Sequence, residues 1–135
     1  MIDTNVVIAA LRSQNGASNK LLKLVGTKKF EIHDSVALIL EYEEVLQRQR
    51  NELGLSEDEV SSFIDSLCAL AHHHEIYFQW RPFLTDVDDE LILELAVSAN
   101  CEYIVTFNVN DFRGSEEFGI RAITPKELLQ IIREV

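Results

Sequence analysis

Residues 1–11, MIDTNVVIAAL, pass from a strand fragment to a helix at Asp3-Thr4-Asn5, and that passage decides the fold. Met1 to Asp3 reads as a clipped strand, and Asn5 to Arg12 as a helix with apolar periodicity. A carboxylate at such a junction is either a helix cap or the first member of a site. Which of the two it is depends on what else in the chain converges on it.

The same switch recurs downstream. After a break at Gly16 the pattern gives a helix over Ser18–Val25, then a short strand over Phe30–His33. Ser35 can cap a helix running through Arg48, and NELG at 51–54 breaks it. Ser56 with Glu59 forms a capping box that opens a helix to about His73. Ile76–Trp80 reads as a strand ended by Arg81-Pro82, and Asp86–Asp89 begins a helix to Ser98. Tyr103–Phe107 is a strand, 110–119 (NDFRGSEEFG) a loop, and Ile120–Ile123 a last strand before Pro125 in the first turn of a closing helix. Strands alternating with helices predict a three-layer α/β domain with a mostly parallel sheet. Ligands of such sheets bind beyond the carboxyl ends of the strands, where Asp3 and the segment Asn108–Asp111 fall.

A chain of 135 residues with 47% apolar content fits one domain, residues 1–135, with a real core. No apolar run approaches the length that spans a bilayer, and no basic segment precedes an apolar one at the start, so neither a membrane span nor a signal peptide is expected. Cys68 and Cys101 sit within apolar patterns and need not pair, which fits a cytoplasmic protein. Twenty-three acidic against 12 basic residues give a net charge of −11. Alone, that argues against a nucleic-acid ligand, since phosphate binding rests on Lys and Arg. A metal-binding carboxylate cluster, or a surface that meets a basic partner, would contribute to the same imbalance.

The acids separate by position. Glu41 has Ala37, Leu38 and Val45 at i−4, i−3 and i+4, so it interrupts an apolar helix face. A carboxylate there needs a metal, a cation or a shifted pKa. Glu44 has Arg48 four residues on, a plain surface pair. Asp89, followed by Ile92 and Ala96, starts the stripe that packs on the sheet, whereas Asp86 and Asp88 suit helix capping. A first-turn acid is the bland reading of Asp89. In 104–112 (IVTFNVNDF), Thr106, Asn108 and Asp111 are explained singly by turn chemistry.

Taken together, 3–8 (DTNVVI), 35–46 (SVALILEYEEVL), 86–96 (DVDDELILELA) and 103–112 (YIVTFNVNDF) resemble the PIN-domain nucleases. They most resemble the bacterial and archaeal branch of toxin components of toxin–antitoxin pairs (VapC-like). The resemblance implies an α/β/α sandwich around a central parallel five-stranded sheet. It also implies a homodimer, an antitoxin partner, and a quartet of acids binding Mg²⁺ or Mn²⁺ to cleave RNA. Residue by residue, the acids are Asp3, Glu41, Asp89 and, as the best remaining carboxylate, Asp111; Thr4, Asn5, Thr106 and Asn108 would orient ligands or the scissile phosphate. Clustered carboxylates need a cation to ionise together, and such an ion activates a water for in-line attack. Two departures stand out. Asn108 occupies a position where many members have aspartate, and only Met1 and Ile2 precede Asp3, which implies a very short first strand or a start further upstream.

Other readings rank below this one. A haloacid-dehalogenase-type phosphatase needs a second aspartate where Asn5 stands. A phospho-receiver domain could use Lys126 but lacks the acidic pair at its first strand. A catalytically weakened PIN-like fold serving as a protein-interaction module fits the charge and Asn108. The RNA-facing cations would come from Arg12, Lys20, Lys23, Arg48, Arg50, Arg81 and Arg113. At 72–75 (HHHE), adjacent histidines at a helix end point in different directions. Cys68 and His72 stand at i,i+4, but no second ligand pair is in view, so zinc is not expected. Trp80 and Phe83 read as core or dimer contacts.

Overall fold

The computed structural model describes residues 1–74 and 87–132, and for residues 87–91 the backbone alone. In chain order the elements are α1 (Thr4–Arg12), α2 (Ala17–Lys23), β1 (His33–Ser35), α3 (Val36–Leu53), α4 (Glu57–Leu70), β2 (His72–His74), α5 (Val87–Ser98), β3 (Tyr103–Val105), 3₁₀ turns at Val109–Phe112 and Ser115–Phe118, β4 (Arg121–Ile123) and α6 (Pro125–Ile131). The expected strand at Ile76–Trp80, with Arg81 and Phe83, lies outside the described residues.

Local chemistry sets most of the boundaries. Ser35 Oγ accepts from Leu38 N at 3.2 Å, which starts α3. Gly54 ends that helix in the left-handed region at φ 72°, a conformation that favours glycine. Both halves of the Ser56–Glu59 capping box are present. α6 opens with Thr124 as its cap and Pro125 in its first turn.

Several boundaries differ from the sequence reading: α3 runs on through Leu53 rather than stopping at Arg48, and β3 ends at Val105 rather than Phe107. Two others differ for one shared reason. α4 ends at Leu70 rather than near His73 because Ala71 turns extended and His72 N donates to Ile32 O at 2.9 Å. The three histidines form β2, parallel to β1, in the register His33↔His72, Asp34↔His73, Ser35↔His74. That pairing also places β1 at His33–Ser35 rather than Phe30–His33. A tertiary ladder overrides the local preference of both segments.

The fold is α/β, and the strand pairing among the described residues is parallel. β3 pairs with β4, and Ile2 bridges to Val105 of β3. The bridge is held by Asp3 N donating to Val105 O and Val105 N donating to Met1 O, each at 2.9 Å. The five-stranded sheet is corrected: among the described residues the strands form two short two-stranded sheets, β1–β2 and β3–β4. The two residues ahead of Asp3 supply backbone for one bridge only, on the β3 side. On the other side Ile2 meets Ile32 and Leu67 across a small cavity.

Val6 and Val7 of α1, Leu38 and Leu46 of α3, Leu93 of α5 and Ile104 of β3 are fully buried in one core. Cys68 and Cys101 are free thiols. No helix among the described residues is long and apolar enough to cross a membrane.

Asp34 is buried on the β1–β2 pair, with its Oδ1 2.5 Å from His73 Nδ1. Its Oδ2 has no partner among the described residues. The hydrogen bond and charge of Asp34 raise the His73 pKa above the ordinary imidazole value. A raised imidazole contributes stability at low pH and loses it as pH rises through the folded value. Wild type should therefore exceed His73→Gln in stability by more at pH 6 than at pH 8. The His73 side chain is 55% exposed, so the difference should stay below about 1 kcal/mol. Urea unfolding at both pH values checks this, and an advantage that grows towards pH 8 would contradict it.

Candidate functional site

Asp3 ends its strand in extended conformation, φ −68° and ψ 149°, and caps α1. Its Oδ1 accepts from Thr4 N at 2.8 Å, and its Oδ2 accepts from Thr106 Oγ1 at 2.7 Å. Thr106 follows β3 and is fully buried; its hydroxyl also accepts from Asn108 N at 3.0 Å. Asn5 Oδ1 accepts from Phe107 N at 3.4 Å. The α1 start and the turn after β3 are thus stitched together at the carboxyl end of β3, beside the Ile2–Val105 bridge. Asp3 is thus the helix cap that its position suggested, and its carboxylate is buried.

Glu41 enters from α3. The buried stripe of that helix is Leu38, Tyr42 and Leu46, with Glu41 half-buried beside it rather than amid an apolar face. Thr4 Oγ1 donates to Glu41 Oε2, so Thr4 touches both acids, one through its amide and one through its hydroxyl. Glu44, by contrast, makes the expected exposed pair with Arg48 at 3.8 Å.

Tyr42 was not foreseen as a site residue. Its buried hydroxyl donates to Ile2 O, the carbonyl just ahead of Asp3. The phenol pKa is raised well above its ordinary value, first by burial and then by the charges of Asp3, Asp34 and Glu41. Its place in the stripe Leu38–Tyr42–Leu46 was the available signal, because a buried tyrosine hydroxyl needs a partner. Tyr42→Phe keeps the ring but leaves Ile2 O without that donor. It should cost about 1–3 kcal/mol in urea unfolding, and a cost near zero would show that the bond contributes little.

The remaining expected residues fall as follows. Asp89 lies in the first turn of α5, but its side chain is outside the described residues. Asn108 is exposed, one hydroxyl away from Asp3 through Thr106. Asp111 is exposed on the 3₁₀ turn Val109–Phe112, where its amide donates to Asn108 O at 3.0 Å. No hydrogen bond or ion pair among the described residues joins the Asp111 carboxylate to Asp3 or Glu41.

Among the described residues no three acids, histidines or cysteines converge as a metal site. Asp3 and Glu41 supply two carboxylates, with hydroxyls from Thr4 and Thr106 beside them. An all-oxygen donor set of this kind suits a hard divalent cation such as Mg²⁺ or Mn²⁺ rather than a thiophilic one.

The family model for the PIN domain matches residues 1–110. The match takes in Asp3, Glu41, Asp89, Thr106 and Asn108 and stops one residue before Asp111. No curated protein matches the chain. PIN domains are generally nucleases, and with most of its 135 residues matched this chain belongs to the PIN domain family.

Proposed function

We propose that the chain is a divalent-metal-dependent endoribonuclease, the toxin component of a toxin–antitoxin pair. The observation that carries the reading is the junction at Thr4, which touches the carboxylates of Asp3 and Glu41 at the carboxyl end of β3. Asp3, Glu41, Asp89 and Asp111 would hold Mg²⁺ or Mn²⁺. When bound, the cation would supply Lewis acidity and charge neutralisation for hydrolysis of a phosphodiester.

The chain's own residues do the positioning. Thr106 fixes one oxygen of Asp3, and the Thr4 amide fixes the other. Each is thereby aimed before any ligand arrives, and reorganisation on binding is small. Asn108, exposed beside Thr106, presents an amide to the phosphate or ribose. RNA contacts would draw on Arg12, which reaches Gln49 across α1 and α3 at 3.1 Å, and on nearby Lys and Arg. Val36 and Leu40 are 71% and 59% exposed on α3, the first five residues before Glu41 and the second next to it in sequence. That apolar rim supports a homodimer or a docked antitoxin at the same end of the domain.

The test is cleavage of labelled single-stranded RNA with Mg²⁺, with Mn²⁺ and with a chelator. Cleavage should appear with either ion and vanish with the chelator. RNA left intact under all three conditions would favour the protein-interaction reading, to which the net charge of −11 and Asn108 already lend some weight.

A further inference from the structure

All four histidines of the chain, His33, His72, His73 and His74, meet on the β1–β2 pair. In that register His33 and His72 share a face of the ladder, and His74, two residues on, shares it too. Asp34 and His73 turn to the other face, where His73 also reaches Cys68 O at 2.9 Å. His33 Nδ1 lies 2.8 Å from His74 Nε2. The rings of His72 and His74 both have centroids 5.0 Å from that of His33, the first stacked on it and the second tilted by 34°. Glu31 Oε2 lies 3.5 Å from His72 Nε2 at the rim.

We propose that His33 and His74 form a binding site for a transition-metal ion of the Zn²⁺ or Ni²⁺ class, with His72 as an adjacent third imidazole. The site is distinct from the oxygen donors gathered at Asp3 and does not depend on the nuclease reading.

Distance supports it first. Metal–nitrogen bonds of about 2.0–2.1 Å separate two neighbouring ligands by about 2.9 Å at a right angle and about 3.4 Å at the tetrahedral angle. The 2.8 Å between the two imidazole nitrogens is close to the first of these values. One of the two rings now donates the hydrogen of that contact. On binding, this ring takes its other tautomer, and both rings turn about Cβ–Cγ, a soft torsion, to aim their lone pairs at one point.

Protonation state supports it next. Burial lowers the His33 pKa, helped by the charges of the Met1 amine, His74 and His72 and opposed by Glu31. That direction favours the neutral ring, the form that binds metal. Among the described residues no three ligands already converge. Two nitrogens and water are thus the starting set, and His72, half exposed beside them, closes the site by rotation. The imidazole nitrogens choose a borderline ion over Mg²⁺, the reverse of the preference at Asp3.

The experiment is calorimetric titration of metal-free Asp3→Asn protein with Zn²⁺ at pH 7.5, which removes the carboxylate of Asp3 as a competing ligand. One ion per chain should bind, at least tenfold more weakly in Asp3→Asn/His33→Gln and Asp3→Asn/His74→Gln, and unchanged in Asp3→Asn/His73→Gln. Wild-type protein gives a readout free of any substitution: on adding Zn²⁺, the ring C–H resonances of His33 and His74 should shift while those of His73 stay. No binding to Asp3→Asn protein, equal binding without His33, or resonances that stay in place overturns the proposal.

Discussion

Asp3→Asn is expected to cut metal-dependent RNA cleavage by at least about a hundredfold, since losing even a supporting partner of a metal ligand typically costs 10–100-fold. The fold should survive the change. Asparagine retains an oxygen for the Thr4 amide, and it caps helices about as well as aspartate. It leaves the buried Thr106 hydroxyl without its carboxylate acceptor, offset in part by the loss of one negative charge near Tyr42, so metal-free stability should fall by about 1–3 kcal/mol. Cleavage rates and urea midpoints measured on one preparation decide the matter. Undiminished cleavage by protein free of contaminating nuclease would remove Asp3 from the site.

The largest loss of stability should come from Phe112→Ala. Phe112 closes the 3₁₀ turn Val109–Phe112 and is fully buried. Deleting such a ring costs about 3–5 kcal/mol, a large share of the 5–15 kcal/mol that holds a typical domain. The same ring anchors the turn that carries Asn108 at its start and Asp111 within it, so activity should fall at temperatures where the variant is still folded. A urea midpoint close to wild type would show that the turn is held by something other than this ring.

These two positions also mark what the amino-acid order discloses. The capping roles of Asp3, Ser35, Ser56 with Glu59, and Pro125 act through atoms a few residues away, so they are readable locally. β1 and β2 are three residues each and pair across nearly 40 positions, and nothing in HHH announces a strand. Helix periodicity therefore ran on past Leu70. Glu41 reads in sequence as an acid amid an apolar face, whereas it lies beside the buried stripe, and its donor Thr4, 37 residues away, emerges only from the packing of α1 on α3. Asp34 escaped notice because its neighbours are polar and its burial comes from the partner strand. The choice between Asn108 and Asp111 depends on where a 3₁₀ turn points, which local sequence does not encode.

The hydrogen bond from Thr106 to Asp3 spans 103 residues. A ribosome adding about 5–20 residues per second needs about 5–20 s to make the second residue after the first. Throughout that interval Asp3 has neither its hydroxyl donor nor its strand partner Val105, because both are still unwritten. Parallel pairing over such a separation is also among the slower events in folding. The Asp3–Thr106 contact therefore cannot form on the growing chain until residue 106 has been made, and the carboxylate waits unaimed until then.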